Sequence, residues 1–298
     1  LHRDLKNKSY HHGAYEAFKI NDPKPRDIHK ATVRDRLVHH AVYRQLYPFF
    51  DRTFIADSYS CRKGKGTHRA MNRFRSFAYK ESKNHTRTAW VLKCDIRKFF
   101  ASIDQNTLLS IVDKYISDTD TRWLVGEIVG SFHTYLSVPI GTDKYTQRTG
   151  LPLGNLTSQL LVNIYMNEFD QFVKHKLKAI YYVRSADDFV VINHDKGVLK
   201  AMLPQIAYFL ENKLHLQLHP HKVSIETLAS GVDFLGWVHF PDHRVLRTVT
   251  KRRMFRRVAG TDSENVIASY LGMLRHGNTR GLQTLVARVS FCDGFLLE

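Results

Sequence analysis

Cysteine is scarce. The 298-residue chain has three, Cys61, Cys94 and Cys292, with no CxxC pair among them. An odd, scattered set builds neither a disulfide framework nor a thiolate zinc site, and a reducing, intracellular setting fits. Long apolar runs are missing too: nothing approaches the roughly 18–20 residues a membrane span needs. No signal peptide opens the chain, so a cytoplasmic protein with no membrane partner is expected. The first residue is Leu1 rather than Met, which fits a fragment or a processed form. Low-complexity tracts and internal repeats are absent, as is the GxxxxGK[ST] spacing of a P-loop. Acid is in short supply, with 28 Asp and Glu against 45 Lys and Arg, a formal net charge of +17.

That excess of base points to a polyanionic partner, nucleic acid first; a basic ribosomal-type or membrane-surface protein is the competing explanation. A hydrophobic content of 43% and an aromatic content of 12% allow a full core. The length suits one large domain or two to three packed subdomains.

Residues 31–50 carry apolar side chains at helical spacing, and Pro48 is expected to end that helix. The stretch from Tyr59 to His68 is a basic, Gly-punctuated loop that enters a second helix at about 67–80. Its Arg62, Lys63 and Lys65 suit a phosphate backbone, or simply a basic turn. Residues 106–138 read as mainly helical. The loop from Gly150 to Asn155 leads into a helix over about 157–177, its start signalled by Thr157 and Ser158. A further helix is expected over 197–213, and an apolar hairpin follows at 231–240. Last come a basic cluster, Lys251, Arg252, Arg253 and Arg256, and more helices. The cluster suggests a duplex-gripping surface, with a solvated basic helix as the alternative.

Chemistry concentrates in three places. The stretch Tyr181 to Ile192 sets Asp187 and Asp188 between two β-branched runs, which puts two carboxylates at a hairpin tip. Taken alone, an Asp-Asp pair in a turn is more often just an exposed turn. Asp95 is more telling, because it lies inside the apolar strand 89–96, where a bare charge is unfavourable. Asp104 reads as an N-cap. Lys24 and Arg26 are two apart in a proline-bracketed extended segment, so both leave one face and suit a triphosphate; a solvated turn is the other reading. If the two acid-bearing strands are neighbours, Asp95, Asp187 and Asp188 converge on a site for two Mg²⁺ ions serving in-line phosphoryl transfer.

The order of these segments resembles a reverse transcriptase. Asp95-Ile96-Arg97-Lys98-Phe99-Phe100 is similar to the first palm motif of that family, Leu151-Pro152-Leu153-Gly154-Asn155 to the second, and Ala186-Asp187-Asp188 to the third. Lys222 and Phe234-Leu235-Gly236 resemble the fourth and fifth. Within the family the chain is most similar to bacterial enzymes of diversity-generating retroelements, on Asp22 to Arg26, Arg34 to His40 and Gly154 to Gln159. Retron, group II intron and defence-associated enzymes share some of these stretches.

The resemblance implies an α+β right-hand polymerase. Residues 1–88 would be fingers, 89–245 palm with a finger-side helical insertion at about 106–148, and 246–298 a helical thumb. It implies RNA-templated DNA synthesis with an RNA template, a DNA or RNA primer, dNTPs and two Mg²⁺ ions, which Mn²⁺ can replace. A small basic accessory protein and a bacterial or phage origin belong to the same picture. Asp95, Asp187, Asp188 and the Ile96 carbonyl would hold metal. Lys24, Arg26, Phe100, Leu153, Gly154 and Gln159 would meet the nucleotide, with Phe100 excluding the ribose 2′-OH. Lys222 would supply a proton to pyrophosphate. Two positions depart from the common pattern. Ser185 stands where the family usually has Tyr, near the primer end, and Leu153 where many members have Gln. The second departure matches the error-prone group and implies low fidelity. A catalytically silent RNA-binding protein on a polymerase fold is the rival from another class.

Overall fold

Short apolar runs of alternating orientation build the sheet at the centre of the molecule. The computed structural model describes residues 1–21, 25–134, 148–261 and 263–292. Helix α1 (His2–Lys6) precedes a hairpin of β1 (Glu16–Ile20) and β2 (Arg26–Lys30). Then come α2 (Val33–Phe50), α3 (Thr67–Glu81), β3 (Trp90–Asp95), the single turn α4 (Phe99–Ser102), α5 (Gln105–Tyr115) and α6 (Thr119–Gly130). Helix α7 (Leu156–Gln171) ends in a π-helical turn (Phe172–Lys176) and leads to β4 (Tyr181–Ser185), β5 (Asp188–Asn193), α8 (Lys196–Leu214) and β6 (Ser224–Thr227). A second small sheet, β7 (Val232–Phe234), β8 (Trp237–His239) and β9 (Arg244–Leu246), precedes α9 (Thr248–Val258), α10 (Glu264–Leu274) and α11 (Arg280–Cys292).

The central sheet runs β4-β5-β3-β6, and all its pairings are antiparallel. Alternation splits its side chains between two cores. Leu92, Cys94, Tyr182, Phe189 and Val191 pack against the helical layer, including Leu108 and Ile111 of α5, Phe169 of α7 and Ile206 of α8. Val91, Val183, Val190 and Ile192 face the other way, onto Phe74 and Phe77 of α3 and onto Val232 and Phe234 of β7. Phe189 is fully buried, so truncating it to Ala would cost about 3–5 kcal/mol. A third cluster joins Met71 of α3 to Trp237, Leu246, Met254, Val258 and Leu274, and so ties α9 and α10 to the rest. Helices and antiparallel sheets in this mixture make the expected α+β fold.

Two local expectations change. Helix α2 passes through Pro48 and ends at Phe50. Pro48 gives up the bond to the Arg44 carbonyl and crowds it, and the helix continues only two residues past the proline, so the disruption falls at the helix end. Helix α7 starts at Leu156, after Asn155, rather than at Thr157. Asp104 does cap α5, accepting from the Thr107 amide at 2.7 Å. Residues 135–147 of the expected 106–148 insertion lie outside the described residues. Among the described residues no helix is long and apolar enough to cross a membrane.

Candidate active site

The acid-bearing strands are direct neighbours. In the β3–β5 ladder Asp95 is the partner of Asp188. Opposed residues of an antiparallel pair project from the same face with Cα atoms about 4.5–5.5 Å apart. Asp95 and Asp188 therefore share one face of the sheet, the face that α3 and β7 cover further along the strands.

Asp187 sits in the turn. Ser185 and Asp188 are paired across the β4–β5 hairpin, which leaves Ala186 and Asp187 as the loop, with Ala186 in the left-handed region at φ 58°. A side chain there is strained, and the surroundings must hold it. Arg184 supplies the hold. Its guanidinium donates to the Ala186 carbonyl at 3.1 Å and to both Asp170 carboxylate oxygens at 2.7 and 2.6 Å. The Tyr182 hydroxyl donates to the same Asp170 at 2.7 Å, and Arg184 and Asp170 are both buried. The turn is thus bolted to α7. Its outer edge is closed by residues 57–59, since Tyr59 N–H donates to the Arg184 carbonyl and Arg184 N–H to Asp57. The sequence reading missed this cluster, although an Arg inside a β-branched run carries the same signal that flagged Asp95.

The electrostatics follow from burial. Asp188 is pushed up to about 7 by burial, the nearby acids Asp187, Asp95 and Asp233 adding to it, while Lys93 opposes. Burial also raises Asp187. One carboxylate oxygen of Asp188, Oδ1, is buried with no hydrogen-bond partner. Buried oxygens of native proteins are almost always partnered, so this one faces a group that the chain does not supply. Asp95 is engaged: Lys222 Nζ lies 2.9 Å from both of its oxygens. Ile96 donates its N–H to the Asp187 carbonyl at 3.2 Å. N–H and C=O of one strand residue leave the same edge, so the Ile96 carbonyl faces the turn as well.

Among the described residues no three acid, His or Cys side chains are gathered as they stand around one ion position. Lys222 holds Asp95 in the place of a cation. The donor set of carboxylates with a backbone carbonyl, and the unpartnered Asp188 oxygen, nevertheless fit hard divalent ions. A shift of Lys222 off Asp95 is what such binding requires.

Some of the residues expected to meet the nucleotide lie at one joint. Leu153 accepts from His29 N–H of β2 at 2.9 Å, and Leu151 N–H donates to the Phe100 carbonyl at 2.9 Å. Gly154 has φ 104°, and a Cβ there would meet Ile28 Cγ2 at 2.8 Å, so only glycine admits β2 this closely. Phe100, Leu153 and Gln159 are half-buried, and Arg26 begins β2, exposed. Lys24 lies outside the described residues.

The basic residues divide. Arg62 corrects the sequence reading: its guanidinium turns inward to Asp51 at 2.7 Å and to the Ile55 and Ser58 carbonyls, and the side chain is 6% exposed. It staples a loop, because its N–H groups are spent on internal acceptors. Lys65 is half-spent, donating to the Ala56 carbonyl at 2.7 Å, while Lys63 is exposed over the Tyr47 ring. On α9, Lys251, Arg252 and Arg256 are exposed opposite buried Met254 and Val258, and Arg253 is half-buried and engaged. Ser185 is half-buried at the end of β4.

A family model described as reverse transcriptase (RNA-dependent DNA polymerase) matches residues 19–239. The chain is 25% identical over 286 residues to Protein YkfC of Escherichia coli K12, covering 84% of this chain and 72% of that protein. It is 23% identical over 297 residues to the group II intron-encoded protein LtrA of Lactococcus lactis, covering 79% of this chain and 47% of LtrA. Among solved structures it resembles apo telomerase from Candida tropicalis with a TM-score of 0.59 at 11% identity, covering 88% of this chain and 53% of that one. Telomerase from Candida albicans with a TWJ fragment of telomeric RNA gives 0.57 at 12% identity, covering 95% of this chain and 56% of that one. The chain thus spans about half the length of LtrA and of these telomerases.

Proposed function

The chain belongs to the reverse transcriptase (RNA-dependent DNA polymerase) family, and from that premise we propose that it copies an RNA template into DNA by nucleotidyl transfer. The observation that supports this most is the register opposing Asp95 to Asp188, with Asp187 in the adjoining turn.

In this reading Asp95, Asp187, Asp188 and the Ile96 carbonyl hold two divalent ions, Mg²⁺ or Mn²⁺ in its place. When bound, those ions acidify the attacking hydroxyl and neutralise charge on the triphosphate. The primer 3′-OH forms the new bond to the α-phosphorus, and the bond to the β-phosphate breaks to release pyrophosphate. Arg26 and Lys24 offset charge on the β- and γ-phosphates. Lys222 donates a proton to the departing pyrophosphate. Phe100 walls the sugar pocket and Leu153, Gly154 and Gln159 line the base side. Ser185 lies by the primer end. Lys63, Lys65, Lys251, Arg252 and Arg256 track the phosphate backbone of an RNA template with its DNA or RNA primer. Residues 1–88 act as fingers, 89–245 as palm and 246–298 as thumb.

The finer assignment is to the error-prone enzymes of diversity-generating retroelements, with a small basic accessory protein as partner. Leu153 and the stretch from Gly154 to Gln159 support it. A group II intron-like role is the second reading, favoured by the likeness to LtrA. Primer extension on RNA with dNTPs and Mg²⁺, beside a D187A/D188A double variant, tests the activity. Extension by the parent and none by the variant, with RNA binding retained, is the expected result; no extension by the parent overturns it. A variable and template repeat pair beside the gene separates the two roles.

A further inference from the structure

The β1–β2 hairpin has little to hold it in place. All five residues of β1 are exposed, and β2 has only Ile28 and His29 half-buried. A lone two-stranded hairpin is marginal in water, so its position depends on its attachments: Tyr15 before β1 bonds Ser131 at 2.8 Å, the His29 ring packs on Phe132, and a joint forms at the C-terminal end of β2. Asn155 makes most of that joint. It stands at the N-cap of α7, where an Asn side chain ordinarily accepts from the first helical amides. Here the side chain makes no cap bond. It reaches across to β2 instead: Nδ2 donates to the His29 carbonyl at 2.7 Å, and Oδ1 accepts from Ala31 N–H at 3.4 Å. Asn155 is 3% exposed, so these bonds form out of water. The His29 amide on Leu153 and the Ile28 contact with Gly154 complete the joint.

Arg26 and Ile28 are two apart on β2 and therefore leave one face of the strand. Ile28 lies on Gly154. The face of β2 that carries Arg26 is thus the face that docks on the loop from Leu153 to Asn155. Whatever sets that docking sets how far Arg26 stands from the nucleotide pocket.

We propose that Asn155 is a positioning residue for the incoming nucleotide: it latches the β1–β2 hairpin onto the loop before α7 and so sets the affinity for the triphosphate through Arg26. The inference rests on the reading of Arg26 as a triphosphate contact, but the latch itself is a separate claim. Asn155 gives up its cap role, and the helix start goes without a side-chain acceptor, in exchange for a fixed hairpin. An Asp at this position keeps the acceptor for Ala31 but sets an oxygen against the His29 carbonyl.

The test uses the full chain and two measurements. The first is amide hydrogen exchange over β1 and β2 in N155A, N155D and I28A, the last loosening the same joint without touching the helix start. The latch predicts faster exchange in the hairpin in all three variants, with the central sheet unchanged. Unchanged hairpin exchange overturns the latch, whether or not the protein polymerises. The second is steady-state primer extension in parent and R26A backgrounds. N155A should raise the KM for dNTP about tenfold with kcat changed by less than about threefold, and template–primer affinity should be unchanged. In the R26A background the same substitution should change KM by less than about twofold. An equal effect in both backgrounds overturns the route through Arg26. Looser hairpins in the variants together with no extension by the parent overturn the polymerase reading and leave the latch standing.

Discussion

Lys222 and Asp95 form a two-point ion pair, with Nζ 2.9 Å from each carboxylate oxygen and Asp95 16% exposed. The lysine occupies the position of a cation beside the acid that opposes Asp188. A divalent ion must therefore compete with it. Removing the ammonium in K222M should tighten binding of Mn²⁺ in the absence of nucleotide about two- to fivefold, the worth of a partly exposed pair. Titration calorimetry of the two proteins checks this, and equal affinities would count against the competition. Primer extension should move the other way, falling about a hundredfold if Lys222 protonates the leaving group.

D188N keeps the shape of the side chain and removes the buried charge. Extension should fall at least about a thousandfold if Asp188 is one of the carboxylates that hold the divalent ions. The metal-free protein should melt no lower than the parent, because Asp188 Oδ1 has no partner to lose. A melting temperature several degrees lower would mean that the carboxylate is held by something else.

Arg184 is the opposite case. Its removal in R184M leaves Asp170 charged and buried, with only the Tyr182 hydroxyl still donating to it. The expected loss is about 3–5 kcal/mol in urea unfolding. R184K should recover part of that, as one ammonium reaches Asp170 but not the Ala186 carbonyl as well. A loss below about 1 kcal/mol in R184M would show that the turn is held by the hairpin alone.

Two histidines make stability pH-dependent. His39 lies 3.0 Å from His12 Nε2 and bonds Thr157, and His239 bonds the Phe234 carbonyl at 3.2 Å. Burial lowers both to about 4 from an ordinary 6.5. The folded state holds them neutral, whereas the unfolded chain takes up protons below 6.5. Their contribution is fully present above pH 6.5 and is lost as pH falls through about 4, at about 2–3 kcal/mol each. Melting curves between pH 7.5 and 4.5 should show a shallower decline in an H39Q/H239Q variant than in the parent; parallel declines would count against the assignment.

Substrate choice offers two further substitutions. F100A should raise incorporation of ribonucleotides about tenfold or more relative to dNTPs if Phe100 walls the sugar pocket. L153Q should lower the misincorporation frequency, read by sequencing of cDNA. An unchanged error spectrum would remove the support that Leu153 lends to the diversity-generating assignment.

What could be read in the chain alone depended on local rules. The strand character of 90–95 and 188–193, the Asp104 cap and the helix over α8 all follow from periodicity and capping within a few residues. So did the suspicion attached to Asp95, since a carboxylate in an apolar run is costly wherever the strand ends up. Arg62 looked like a phosphate ligand because a basic, Gly-rich loop has no local sign of the Asp51 and carbonyl oxygens that claim it. Asn155 read only as the end of a turn-forming loop, and its partners are 124 and 126 positions away.

By itself, then, the sequence determined the kinds of element, the acids that needed an explanation and the family resemblance, because each is set by near neighbours or by the order of motifs. Only the tertiary structure decided that Asp95 stands opposite Asp188, that Arg184 bolts the turn to Asp170, that Lys222 closes on Asp95 and that Asn155 spans to β2. Those pairings join residues far apart in the chain, and their energy comes from burial and register, which no local pattern encodes.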